Sequence, residues 1–327
     1  MNFPIDFVVD WVDGSDSNWL AKRAQYLDDA DADEVRFRDW GLLPFWFRAV
    51  EKNAPWVNKI YLITDNQIPA WLNFENPKIQ VISHQNYIPE KYLPTFNSNV
   101  IELMIGNIPQ LSEHFVFFND DCFLNNIVDP ENFFSEDGTP KDSGVLSPQL
   151  PVDNSITSIT TNNVKIINNY FSRSDVLRNL TKFLRISYGR QNIKTLVSLV
   201  WPIILGFQDF HIPISFVKST FSNVWSLEGP RLGGTLEHKF RSENDYNIYL
   251  FRYFQLLTGG FTPRSANFGK YYSLSNNNDV PICDIKRGLH KLIVLNDQED
   301  ISSFEHVKKE IQEAFQERYS EKSNFEK

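Results

Sequence analysis

Cysteine is nearly absent from this chain of 327 residues: two thiols, Cys122 and Cys283, stand far apart with no C-x-x-C spacing. That excludes a disulfide framework and gives no basis for a cysteine-built zinc site. Both thiols read as small buried residues. Long apolar runs are also missing, and no stretch reaches the 18 or so residues of a membrane span. The nearest, "LVSLVWPIILGF" at 196–207, is short and interrupted by Pro202, which suits a buried or interfacial segment. The start, "MNFPIDFVVD", has neither a basic leader nor a cleavage site and reads as a first strand, so a cytoplasmic protein is expected. Neither GxxxxGK[ST] nor GxGxxG occurs, which removes the P-loop and the dinucleotide fingerprint. Basic residues are in deficit, 32 against 41 acidic for a formal charge of −9, so a general nucleic-acid binder is excluded.

What is present is a large potential core, with 42% hydrophobic residues. In the first 150 residues, short β-rich runs alternate with helical patterns, predicting an α/β layer with a largely parallel sheet. The runs "FPIDFVVDWV", "KIYLITD", "KIQVISH" and "HFVFFND" are nearly continuous in apolar character, as strands covered on both faces should be. Each closes on polar groups: Asp10 and Asp13, Asp65, His84, then Asp120 and Asp121. Asp and Asn are common where strands turn, but ligands in open α/β sheets also bind beyond the carboxyl ends of the strands.

The pattern returns in "HKLIVLNDQED", which closes on Asn296 and Asp297. A final amphipathic helix follows, with Ser302 and Glu305 spaced as a capping box and Phe304, Val307, Ile311, Phe315 and Tyr319 on one stripe. These readings divide the chain into an α/β core at 1–150, a helical and loop-rich elaboration at 151–285, and a strand and helix at 286–327 that return to the core. On the nucleotide-sugar chemistry drawn from the carboxylates below, the first is the nucleotide-sugar-binding core and the second the acceptor side. Within the elaboration, residues 165–194 hold seven Lys or Arg against one Asp. Arg178, Lys182 and Arg185 fall on one helical face and Val176, Leu180, Phe183 and Leu184 on the other. That helix either covers the protein's own core or touches a membrane surface or anionic polymer.

Carboxylates gathered from separate strand ends, without a Cys or His cluster, suit a hard oxygen-preferring ion such as Mg2+ or Mn2+. Magnesium completes its shell with water and substrate phosphates, so a diphosphate-containing substrate is indicated and a nucleotide sugar is the natural candidate. In "DFVVDWVDGSD", Trp11 can stack on a base while the turn around Gly14, flanked by Asp13 and Asp16, offers backbone amides. Equally, Trp11 can be core and Asp16 a helix cap.

Together these stretches resemble the Stealth family of capsular polysaccharide phosphotransferases, relatives of the lysosomal-enzyme N-acetylglucosamine-1-phosphotransferase. The resemblance runs through "DFVVDWVDGSD", then "RFRDWGLLPFWFRAVEKNAPWVNKIYLITDNQIPAWLN" to "LPTFNSNVIE" and "HFVFFNDDCFL". It continues in "HIPISFVKSTF", "FRSENDYNIYLFRYF" and "HKLIVLNDQED". Trp40 and Leu42 stand where family members often have Asn and Glu, and Val294 replaces a frequent Cys. The resemblance implies a Rossmann-like, glycosyltransferase-A-like, mostly parallel sheet with a helical and loop-rich elaboration.

It also implies transfer of a sugar-1-phosphate, with a UDP-activated N-acetylhexosamine as the expected donor and a polysaccharide or lipid-linked glycan as acceptor. UMP would leave and a phosphodiester would form. On this reading Asp121 and Asp297 are the metal ligands, with Asp120 bound beside or behind them. Arg36 and Arg241 clamp phosphate oxygens, and His211 is the general base. Asp10 and Asp13 are nucleotide contacts or proton-transfer groups, with Trp11, Gly14 and Asp16 around the nucleotide. Asn97, Ser98 and Asn99 cap a helix at the ligand edge, and Asp245 serves substrate binding or caps a helix. A metal-dependent glycosyltransferase releasing UDP, or a non-catalytic sugar-nucleotide or polysaccharide-binding protein, are the alternatives.

Overall fold

In a computed structural model that describes residues 1–27, 37–152, 156–298 and 301–327, the predicted strands form where the apolar runs placed them. They are β1 (Ile5–Asp10), β2 (Ile60–Thr64), β3 (Ile79–Ser83) and β4 (His114–Phe118). The main sheet runs in the order β3-β2-β1-β4-β7, where β7 is Ile214–Val217. The first four strands are parallel and β7 is an antiparallel edge. This is the Rossmann-like order, and the direction of winding reverses between β1 and β4. The groups that close β1 to β4 therefore emerge at one edge, with those of β1 and β4 side by side at the reversal.

Period-two alternation distributes the strands between two cores. Phe7, Val9, Ile60, Leu62, Val116 and Phe118 face one core, shared with the helices Leu43–Asn53 and Phe304–Arg318. Val8, Tyr61, Ile63, Phe115 and Phe117 face the other, under the helices Ser98–Leu103, Lys218–Leu236 and Tyr249–Leu257. Phe45 stacks on Phe315 with ring centroids 5.7 Å apart, and Arg48 pairs with Glu326 at 2.7 Å. The C-terminal strand and helix thus close over the first core. The stripe Val307, Ile311, Phe315 and Tyr319 is buried and Phe304 partly so.

A second, small sheet has the order β5-β10-β9, from Cys122–Leu124, Leu292–Asn296 and Gly269–Ser273. A two-stranded ribbon joins β6 (Lys141–Asp142) to β8 (Thr262–Pro263). Residues 151–285 are mostly helical but send β7 to the main sheet and β9 to the small one. No helix among the described residues is long and apolar enough to cross a membrane.

Two local expectations are corrected. The continuous amphipathic helix within 165–194 is broken into Arg173–Arg178 and Leu180–Phe183, because Asn179 leaves helical geometry at ψ 27°. Its Lys182 turns inward, donating to the carbonyls of Gly259 and Phe261. The capping box of the last helix does not form: Ser303 is the N-cap residue, without a side-chain bond, and the Ser302 hydroxyl donates to Asn276 Oδ1 at 2.9 Å.

Candidate active site

The site begins with a four-residue turn. The Cys122 amide donates to Asn119 O at 3.1 Å, so Asp120 and Asp121 occupy the corner where the chain leaves β4 and enters β5. The turn reading of these acids holds. From the other side, β10 pairs with β5 in the register Val294↔Cys122, and the Leu295 amide donates to Asp121 O at 3.0 Å. This pairing brings the second Asn-Asp, Asn296 and Asp297, to the first.

A cleft of about 280 Å³ opens there, and its walls include Trp11, Asn119, Asp120, Asp121, His211, Arg241, Asn296 and Asp297. Six residues named from the sequence therefore share one cavity: Trp11, Asp120, Asp121, His211, Arg241 and Asp297. His211 Nε2 lies 2.9 Å from Asp121 Oδ2 and 3.2 Å from Oδ1. Burial pulls the imidazole's pKa down, but the charge and hydrogen bond of Asp121, with Glu102 and Asp120 behind, outweigh it and hold it above the ordinary value. Arg241 donates through Nε to Ser98 Oγ at 3.1 Å, which orients its guanidinium.

The carboxylates repel one another strongly. Burial, then the charges of Asp121 and Asp39, push Asp120 up to about 7. Burial, then Glu102 and Asp120, raise Asp10 well above the carboxylate range. Asp297 is also raised, by burial, against the pull of Arg38 and Trp40. Its Oδ2 receives Trp40 Nε1 at 3.2 Å, while Oδ1 is buried without a hydrogen-bond partner among the described residues. A like-charge set lining one cleft, with Asp121 and Asp297 half-buried, Asp120 exposed and one carboxylate oxygen unused, fits a hard divalent cation. Asp121, Cys122 and His211 also lie within 4.8 Å of one another, but burial and Asp121 raise the Cys122 thiol and keep it protonated. A thiolate ligand is thus disfavoured.

A second cavity, of about 430 Å³, adjoins the first across Trp11 and is lined by Asp13, Asp16, Trp19, Lys22, Asp65 and Gln67 among others. Asp13 holds its own turn, accepting from the Ser15 amide at 2.9 Å and the Ser15 hydroxyl at 2.6 Å. Asp16 caps the helix Ser17–Ala24 through Trp19 N at 2.7 Å. A Cβ on Gly14 would lie 1.7 Å from Phe37 O, so glycine is required there by close backbone approach.

The side chains of Asn97, Asn99 and Asp245 form a buried hub beside the cleft. Asp245, with no exposed surface, accepts from Asn97 Nδ2 at 2.7 Å, Asn99 Nδ2 at 2.9 Å and Ser242 N at 3.0 Å, and contacts His238 Nδ1 at 2.6 Å. Asn97 is also the N-cap of the helix Ser98–Leu103. The hub fixes that helix against the 240–247 loop, and so positions Ser98 and Arg241.

Arg36 lies outside the described residues. Its neighbour in the same motif, Arg38, was overlooked, although it lines the cleft with its Nε 3.7 Å from Asp297 Oδ2. Trp40, seen only as a departure from the family pattern, touches the same acid. Glu102 was missed as well: it is buried, raised by burial, and feels Arg241, the Ser98 hydroxyl and His211. Its spacing of four from Ser98 places both on one helical face, but a glutamate inside a helix ordinarily marks the solvent side.

Comparison with known proteins places the chain in a family. A model described as "Stealth protein CR1, conserved region 1" matches residues 3–31, and "Stealth protein CR2, conserved region 2" matches 36–142. A capsular polysaccharide phosphotransferase of Streptococcus pneumoniae is 45% identical over 99% of this chain and 98% of its own. An exopolysaccharide phosphotransferase of Lactiplantibacillus plantarum is 48% identical over 99% and 97%. A receptor polysaccharide phosphotransferase of Streptococcus oralis is 39% identical over 98% and 99%.

Proposed function

The chain belongs to the Stealth family, and on that premise we propose a capsular or exopolysaccharide phosphotransferase. It moves a sugar-1-phosphate, N-acetylhexosamine-1-phosphate first among the candidates, from a UDP-sugar to a hydroxyl of a polysaccharide or lipid-linked glycan. The reaction is placed in the cytoplasm. The observation that carries this reading is the meeting of Asp120, Asp121 and Asp297 with Arg38, Arg241 and His211 in one cleft at the strand-order reversal. Opposed acids and guanidinium groups of this kind suit the handling of a diphosphate.

The nucleoside occupies the adjoining cavity, with Trp11 between base-side and phosphate-side spaces. Arg241, oriented by Ser98, and Arg38 bind phosphate oxygens and hold the phosphorus next to the sugar in line for attack. Mg2+, or Mn2+ in its place, would be held by Asp121 and Asp297 with Asp120 beside them, and would offset the negative charge of the donor's diphosphate. His211 takes the proton of the acceptor hydroxyl, and the Asp121 carboxylate stabilises the resulting imidazolium. The acceptor oxygen bonds to that phosphorus, the phosphoanhydride bond breaks, and UMP leaves. The bond from the sugar's anomeric carbon to its oxygen survives.

The test is the released nucleotide. Purified protein with UDP-N-acetylhexosamine, Mg2+ and glycan acceptors is expected to give UMP and a phosphate-bridged product by chromatography and mass spectrometry. Release of UDP with a glycosidic product would replace the reaction. Tight donor binding without turnover on any acceptor would replace the enzyme by a binding protein.

A further inference from the structure

The helix Asn192–Ser198 is turned inside out. Its polar Thr195 and Ser198 are buried, with the Leu146 amide donating to Thr195 Oγ1 at 3.1 Å. Its apolar Ile193, Leu196 and Val197 are instead 64%, 55% and 55% exposed, and Val200 and Trp201 beyond them 72% and 54%. Ile186 is fully exposed. It joins this surface because Asn192 Nδ2 donates to the Arg185 carbonyl at 2.7 Å. The helix Arg173–Arg178 abuts the same turn, with Arg173 Nη1 donating to Leu199 O at 3.3 Å.

The charge of this region runs against that of the chain. Residues 176–208 hold five cations and no acid, in a protein of formal charge −9. Arg185, Arg190 and Lys194 are exposed and make no ion pair among the described residues. An apolar surface with a tryptophan, ringed by unneutralised cations, is complementary to one partner above others: a lipid bilayer bearing anionic headgroups.

We propose that the surface formed by residues 185–203 docks this protein on an anionic membrane, with the apolar side chains entering the headgroup boundary and the arginines and lysine meeting lipid phosphates. The inference does not depend on the reaction proposed above. It bears on it, because Ile203 and His211 are eight positions apart in sequence, at most about 28 Å of chain. A bilayer docked at Ile203 therefore lies within about 28 Å of His211.

The test is flotation of the full chain with phosphatidylcholine vesicles, with and without phosphatidylglycerol. Binding is expected to the anionic vesicles and to fall with salt. An Ile193→Ser/Val200→Ser/Trp201→Ser variant, and separately an Arg185→Glu/Arg190→Glu variant, are each expected to lose roughly tenfold or more in affinity. Should the apolar variant melt early, the charge variant alone decides. Absence of binding to anionic vesicles, or equal binding by the stable variants, overturns the proposal. So does sedimentation showing a dimer that the apolar variant dissolves, since a second copy would then cover the face.

Discussion

The contact between His211 and Asp121 gives the sharpest test of the proposed chemistry. General-base assistance by a positioned side chain is worth roughly 10²- to 10⁴-fold in rate, so His211→Gln is expected to lower kcat by that factor while leaving donor KM within about threefold. Asp121→Asn removes a charge-assisted hydrogen bond of 2.9 Å, worth roughly 1.5–3 kcal/mol, or about ten- to a hundredfold, and in addition a proposed metal ligand. If the two side chains work as one unit, their losses do not add. Adding His211→Gln to Asp121→Asn should then cost less than His211→Gln costs alone. Initial rates of UMP release at saturating donor and Mg2+ measure all four corners of the cycle. The acid limb of the kcat/KM profile adds a second readout: Asp121 raises the imidazole pKa, so Asp121→Asn should move that limb to lower pH. Full turnover in His211→Gln, or strictly additive losses with an unmoved acid limb, would refute the dyad.

Three further outcomes are expected. Chelation with EDTA should abolish turnover and Mg2+ restore it, and Asp297→Asn should raise the half-saturating Mg2+ concentration roughly tenfold or more. A metal-independent rate would remove Mg2+ from the mechanism. Asp245→Ala should destabilise by about 3–5 kcal/mol, because Asn97, Asn99 and the Ser242 amide lose a buried charged acceptor. Urea unfolding reads it directly, and a loss below about 1 kcal/mol would mean that the hub is not structural. Burial, against the opposing charge of Asp65, lowers His84 from 6.5 to about 4. The unfolded chain therefore binds more protons between those values. The resulting stability is complete above pH 6.5 and is lost as pH falls toward 4, by about 3 kcal/mol at most. His84→Gln should flatten that part of the urea-midpoint profile, and an unchanged slope would contradict it.

The sheet was legible because its strands are covered on both faces. Phe7 to Val9 and Ile60 to Ile63 are wholly buried, so their apolar character is continuous and their ends are marked by the first polar residue. The acids at those ends were readable for the same reason. What was not legible is the second sheet. β5 has three residues and β9 exposes Tyr271, so neither shows a periodic signal. Their place is set by pairing with β10, which for β5 joins residues some 170 apart in sequence. The split of the basic helix at Asn179 was equally hidden. Asn tolerates both helix and turn, and the inward turn of Lys182 toward two carbonyls is visible only in three dimensions.

Within the site, the difference between what was found and what was missed follows the same physics. Asp120, Asp121 and Asp297 announce themselves, since a charge beside an apolar strand demands a reason. Arg38 does not, because "RFRD" offers two arginines two apart and the sequence does not say which of them reaches the cleft. Glu102 sits inside a helix whose neighbours are apolar, where a glutamate ordinarily marks the solvent face. Here the hub at Asp245 presses that helix against the 240–247 loop, so Glu102 is buried and faces Arg241. If that pairing holds the guanidinium in place alongside Ser98, Glu102→Gln should weaken donor binding more than it slows turnover. Raised donor KM at nearly constant kcat is the expected result, and a fall in kcat at constant KM would assign Glu102 to proton transfer instead.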